Sequence, residues 1–168
     1  MQDEVDSRLG RGVVTVGSAG TDALTGDPAA EGSRRVAARR GLSLDQHRAT
    51  PVRFVPLDDV SLAITMTRRQ RKVIGTHRPQ MAPRTFALRE LLAAIDAFEG
   101  ELRRPESPRE RITATVVAAD AHRPRSRFRR YLDIPDPAGK DQREYDSLGE
   151  EFQNAAGQLA KALFDRSH

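Results

Sequence analysis

Cysteine is the most informative absence from this sequence, because its 168 residues contain none. Without a thiol the chain forms no disulfide, holds no metal through thiolates and offers no thiolate nucleophile. No apolar run approaches the roughly 18 residues that a membrane-spanning helix needs. Acidic residues lie among the first ten, where a signal peptide would be apolar. The sequence therefore predicts a soluble, cytoplasmic protein with no membrane association.

Metal-binding patterns are also missing from the sequence. His77, His122 and His168 are scattered along the chain and show no spacing typical of metal ligands. We therefore expect no metal and no cofactor.

Basic residues outnumber acidic ones by 28 to 24, and lysine occurs only at positions 72, 140 and 161. This arginine bias is typical of GC-rich coding. The densest basic run, residues 122–130 (HRPRSRFRR), could contact nucleic acid, because guanidinium groups pair with phosphate oxygens. It holds one aromatic residue, Phe128, and is interrupted by Pro124. We favour a solvated loop and do not expect nucleic-acid binding.

The pattern of apolar residues predicts one α/β domain over residues 1–168. Strands are predicted at residues 12–18, 60–66 and 84–87. Helices are predicted from a cap at Asp27 to Gly41, over 68–77, from Leu88 onward, over 110–121, and as a final helix with an apolar stripe through Phe152. Alternation of strand and helix favours a parallel sheet covered by helices.

Five segments, in their order and spacing, resemble the low-molecular-weight protein tyrosine phosphatase family. They are SAGT (18–21), GLSLDQHRA (41–49), DVSLAITMT (59–67), RTFALREL (84–91) and DIPDPAG (133–139). The resemblance covers nearly the whole chain, from about Arg8 to the end. It implies a three-layer α/β/α fold with a small parallel sheet, from which the family's first, central strand is missing.

The resemblance also implies a chemistry. In that family a Cys-x5-Arg loop cradles phosphate, its cysteine attacks phosphorus to form a cysteinyl-phosphate, and an aspartate followed by proline protonates the leaving oxygen. Asp136 matches that general acid, whereas Asp133 is a nearby distractor. The alternative for Asp136 is a plain turn residue before a proline.

Two further positions match the family's supporting network beneath the phosphate loop, namely Ser18 and His47. The alternative for His47 is a surface histidine in a polar turn. The nucleophilic cysteine and the loop arginine have no counterpart, so the resemblance implies that the chain as written is inactive. Residues 138–139 (AG) replace the usual aromatic residues after the Asp-Pro pair, which weakens any preference for phosphotyrosine.

Two hypotheses explain a phosphatase-like chain without its nucleophile. Residues 5–10 resemble the end of the family's first helix, so the sequence could begin at an internal methionine of a longer phosphatase. Alternatively, the chain is a pseudophosphatase, a non-catalytic binding or regulatory module. A phosphorylated protein or small phosphomonoester would be the partner if a full-length form is active. Loss of a central strand predicts marginal stability or aggregation.

Overall fold

The computed structural model describes residues 11–98, 107–124 and 129–164. These residues form the helices α1 (Glu31–Ala38), α2 (Arg68–His77), α3 (Leu88–Asp96), α4 (Pro108–Ala121) and α5 (Gln142–Phe164), and the strands β1 (Ala63–Thr65) and β2 (Thr85–Ala87). Short 3-10 helices occupy Val52–Phe54, Leu57–Asp59, Pro79–Arg84 and Arg129–Leu132. The helix end expected at residues 5–10, the basic residues 125–128 and His168 lie outside the described part.

The described residues contain one sheet, in which β1 and β2 run parallel with Ile64 opposite Phe86. The α/β fold class with a small parallel sheet is thereby confirmed. The strand predicted at residues 12–18 is wrong, since that stretch forms no strand and the ladder runs between β1 and β2. A run of β-branched residues has strand propensity, but a strand forms only where a neighbour completes the ladder.

The chain divides into two compact units. Of the described residues, those up to Val16, those within Pro56–Pro135 and those from Ala155 to Phe164 form the sheet unit. The loop unit comprises Gly17–Val55 and Asp136–Asn154. Helix α5 contributes its first part to the loop unit and its last turns to the sheet unit. The expectation of a single domain over residues 1–168 stays a prediction.

The sheet unit is built on an apolar core whose largest members have no exposed surface, namely Met81, Phe86, Leu91 and Leu159. Its helices begin at defined caps. The Thr67 hydroxyl accepts a hydrogen bond from the Gln70 N–H (3.2 Å), while the Gln70 side chain accepts one from the Thr67 N–H (3.0 Å). Ser107 and Glu110 form the same reciprocal pair at α4.

One inward-facing prediction for α4 is wrong. Val117 is 64% exposed, whereas Ile112 and Val116 are buried as expected. Thr115 and Val116 lie side by side on the buried face, and Val117, a further 100° around the helix, lies outside it.

The loop unit holds α1 and the first part of α5, which approach closely at two glycines. A Cβ on Gly32 would meet the ring of Tyr145 at 2.5 Å, and one on Gly149 would collide with Val36. Arg39 forms an ion pair with Asp146 across the same contact. These small residues let the two helix backbones come together.

Two details predicted for these helices are wrong. Helix α1 begins at Glu31, after Ala30, so Asp27 does not cap it; instead the Asp27 C=O accepts a hydrogen bond from the Ala49 N–H (2.8 Å). Phe152, placed in the apolar stripe of α5, is 39% exposed. The stripe itself holds at Leu148, Ala155, Leu159 and Leu163, all of which are buried.

Candidate functional site

The segments that carry Ser18 and His47 are tied together by backbone hydrogen bonds within the loop unit. Gly20 N–H donates to Thr50 C=O (2.9 Å), and Val52 N–H donates to Gly20 C=O (2.9 Å), which makes a parallel bridge between Gly20 and Pro51. Ser18 lies two positions before this bridge and His47 four before it. The structure thus brings together the two segments that the sequence comparison selected.

His47 itself lies in a turn whose backbone is well connected. Its N–H donates to the C=O of Leu44 (3.0 Å), and its C=O accepts from the Arg48 guanidinium (2.7 Å). The His47 side chain is half-buried, whereas Ser18 is exposed. Neither side chain forms a hydrogen bond within the described residues. The supporting roles of Ser18 and His47 therefore stay predictions.

Asp136 lies at the start of a tight turn in the loop unit. Its Oδ1 accepts a hydrogen bond from the Ala138 N–H (2.9 Å), and the Lys140 N–H donates to the Pro137 C=O (2.9 Å). Gly139 has φ +76°, which the third position of a type II turn requires. The carboxylate of Asp136 is exposed. The turn thus presents this carboxylate to solvent, and its assignment as a general acid stays a prediction.

Asp133 has a different, structural task in the sheet unit. Its Oδ1 accepts hydrogen bonds from the Arg68 N–H (2.7 Å) and Nε (3.2 Å), and its Oδ2 accepts one from Nη2 (3.1 Å). Because Arg68 is the first residue of α2, the carboxylate also caps that helix. Both oxygens of Asp133 are therefore engaged.

These contacts change the acidity of Asp133. Partial burial by itself raises its pKa, but the hydrogen bonds and charge of Arg68, together with the charge of Arg71, outweigh burial. The net effect holds the pKa below its ordinary value of 3.8. Asp133 is thus held in the ionised form, which suits a helix cap and not a proton donor.

Sequence reasoning missed one residue of the basic run. Arg123 does not belong to a solvated loop: its side chain is only 21% exposed and pairs with Asp120 (2.5 Å) and Glu90 (3.5 Å). Asp120 lies three positions earlier, in the last turn of α4, and is a usable signal, whereas nothing in the spacing connects Arg123 to Glu90.

Two kinds of feature are absent from the described part of the chain. No helix there combines the length and the apolar composition needed to cross a bilayer. Likewise, within the described ranges no three or more histidine or acidic side chains gather in a way that could hold a metal ion.

Comparison with known proteins identifies the class. A model of the low molecular weight phosphotyrosine protein phosphatase family matches residues 1–119. The chain therefore belongs to the low molecular weight phosphotyrosine protein phosphatase family. No curated protein gives a significant match to this sequence.

Solved structures of the same family share the fold. The YwlE arginine phosphatase from Geobacillus stearothermophilus matches with 20% identity and a TM-score of 0.65, over 96% of this chain and 81% of that one. The tyrosine phosphatase amsI from Erwinia amylovora matches with 18% identity and a TM-score of 0.65, over 98% and 83%. The low molecular weight protein tyrosine phosphatase from T. tengcongensis has 21% identity and a TM-score of 0.61, over 88% and 76%.

Proposed function

We propose that this 168-residue chain does not hydrolyse phosphate esters through a cysteinyl-phosphate. One observation carries the proposal: the sequence contains no cysteine. The family's reaction begins with attack of a thiolate on phosphorus, and a hydroxyl lacks both the low pKa and the polarisable sulfur that make such attack efficient. A general acid at Asp136 speeds departure of a leaving group but cannot replace the nucleophile.

A second candidate function is that of a non-catalytic binding or regulatory module. It is supported by the hydrogen bonds that hold the loops of the predicted site in place within the loop unit. The segments around Gly20 and Pro51 are held by backbone hydrogen bonds. The turn at Asp136 is closed by a backbone hydrogen bond from Lys140 N–H to Pro137 C=O and by one from Ala138 N–H to the Asp136 carboxylate. A scaffold that keeps such loops in place can bind a ligand without transforming it.

The proposed ligand is a phosphorylated protein or a small phosphomonoester, and the proposed location is the cytoplasm. Two of the structural neighbours are described as an arginine phosphatase and a tyrosine phosphatase. Phosphoarginine and phosphotyrosine are thus the two side chains to examine first. Ala138 and Gly139 offer no aromatic wall beside the turn, so we expect no preference for the phenyl ring.

Turnover of p-nitrophenyl phosphate by the purified chain tests the main proposal. We expect the rate to equal that of buffer, and to remain so for Asp136→Asn and for Asp59→Asn, an exposed aspartate of the sheet unit that serves as the matched control. Turnover that Asp136→Asn abolishes and Asp59→Asn preserves would overturn the proposal, because it would give Asp136 a catalytic task in this chain.

Calorimetric titration separates the second candidate from an inert scaffold. The titrants are one short peptide in three forms: phosphorylated on arginine, phosphorylated on tyrosine, and unmodified. A binding module requires saturable heat with at least one phosphorylated form and none with the unmodified peptide. Equal heats for all three forms would defeat it.

A further inference from the structure

The outer edge of β2, the side that does not face β1, carries backbone groups that a neighbouring strand would normally bind. In a parallel pair, alternate residues turn their N–H and C=O toward the partner. Phe86 faces β1, because its C=O also accepts a hydrogen bond from the Thr65 hydroxyl of β1 (3.2 Å). Thr85 and Ala87, which flank Phe86 in the chain, therefore turn their backbone groups to the outer edge.

These outward groups are occupied from within the chain. The Thr85 N–H donates to the Ala82 C=O, and the Thr85 C=O accepts from Arg123 Nη2 (3.1 Å). The Ala87 N–H donates to Glu90 Oε2 (3.1 Å). The Arg123 donor and the Glu90 acceptor thus take the places that the backbone groups of a third strand would fill.

The two side chains are fixed by contacts of their own. Arg123 Nη2 also donates to the Ala82 C=O (2.9 Å), and the guanidinium carbon lies 3.8 Å from the centre of the Phe86 ring. Glu90 is 4% exposed and accepts a hydrogen bond from Arg71 (2.5 Å). The planar guanidinium lets Nη2 reach these carbonyl groups while Nε pairs with Asp120 and Nη1 lies near Glu90.

We propose that Arg123 and Glu90 form an edge cap, which closes β2 against pairing with the same strand of a second copy of this chain. Exposed strand edges invite such pairing, and proteins protect them with charges or by covering them. Thr85, Phe86 and Ala87 have no exposed surface. The cap occupies the outward backbone groups through which another chain would pair. This inference is independent of the proposed function.

Sedimentation velocity of Arg123→Met tests the cap, because methionine can fill the volume above Phe86 but cannot donate to Thr85. We expect a species of about twice the monomer mass, whose fraction grows over a roughly tenfold rise in concentration. Leu91→Ala is the matched control: it lowers stability through a core cavity and leaves both capping side chains in place. It should sediment like the unmodified chain.

Arg123→Lys carries the same test if Arg123→Met fails to fold, since lysine keeps the charge and loses the fork. Glu90→Gln separates the two halves of the cap, because its amide oxygen can still accept from Ala87 N–H; we expect less association than with either Arg123 variant. The proposal is overturned if neither Arg123 variant associates more than Leu91→Ala does.

Discussion

The sheet unit and the loop unit are each stabilised internally by different interactions. In the sheet unit, Met81, Phe86 and Leu91 have no exposed surface. In the loop unit, Leu24 is 71% and Phe54 is 63% exposed, and the loops are joined by backbone hydrogen bonds. Ser18, His47 and Asp136, the three predicted site residues, all belong to the loop unit. Burial thus maintains the fold, whereas hydrogen-bonded turns place the predicted site.

The largest difference in stability should come from truncating a leucine to alanine in each unit. Leu91→Ala removes a side chain with no exposed surface, and we expect a loss of about 2–5 kcal/mol in the free energy of unfolding. Leu24→Ala, at 71% exposure, should stay within about 0.5 kcal/mol of the parent. Urea denaturation measures both. Equal losses for the two variants would remove the contrast between the units.

The contact between α1 and α5 is where packing matters in the loop unit. Gly149→Ala places a methyl group against Val36, and we expect a loss of about 1–3 kcal/mol by overpacking. Gly157→Ala, on the same helix with open space around it, should instead gain about 0.5–1 kcal/mol. Thermal unfolding of both variants checks the signs. A gain at both positions would show that the helices do not meet closely at Gly149.

Asp133 and Asp136 should differ in their effect on stability. Asp133→Asn loses charge-assisted hydrogen bonds to Arg68, and we expect a cost of about 1 kcal/mol near neutral pH, allowing for partial exposure. Asp136→Asn keeps an oxygen that can accept from Ala138 and should stay within about 0.5 kcal/mol of the parent.

The pH dependence has a definite sign. Because the folded-state pKa of Asp133 lies below 3.8, its contribution is fully present above that value and is lost as pH falls through the lowered pKa. The difference between the parent and Asp133→Asn should therefore shrink in acid. Denaturation series at several pH values measure it, and a difference that grows toward low pH would contradict the assignment.

The smallest effect concerns two threonines of α4. The hydroxyl of Thr115 is buried and has no hydrogen-bond partner in the part of the chain that the structure describes. Thr115→Val should therefore stabilise the protein by up to about 1 kcal/mol. Thr113→Val is the control, because its exposed hydroxyl donates to the Arg109 C=O (2.9 Å), and it should change stability by less than about 0.5 kcal/mol. Destabilisation by Thr115→Val would indicate a hidden partner for the hydroxyl.

Local signals in the sequence predicted much of the fold. Helix α2 was predicted with its observed bounds, and Thr67 and Gln70 form a capping box at its start. The family was recognisable from five short segments in order. The strand at residues 12–18 was a false prediction, because propensity says nothing about whether a neighbouring strand is available.

Long-range pairs were beyond sequence reasoning. Asp133 was set aside as a distractor, which fits its engagement by Arg68, but no spacing along the chain connects residues 65 positions apart. Arg123 was assigned to a solvated loop for the same reason. Its partners Glu90 and Phe86 become neighbours only when α4 packs against α3 and the 3-10 helix Pro79–Arg84.

The central proposal is that this chain, which contains no cysteine, forms no covalent phosphoryl intermediate. Intact-mass spectrometry after acid quenching of the chain with a reactive phosphomonoester tests it most directly. We expect the mass of the unmodified polypeptide at every time point. A mass increment of one phosphoryl group, formed at the rate of product release and lost on removal of substrate, would contradict the account.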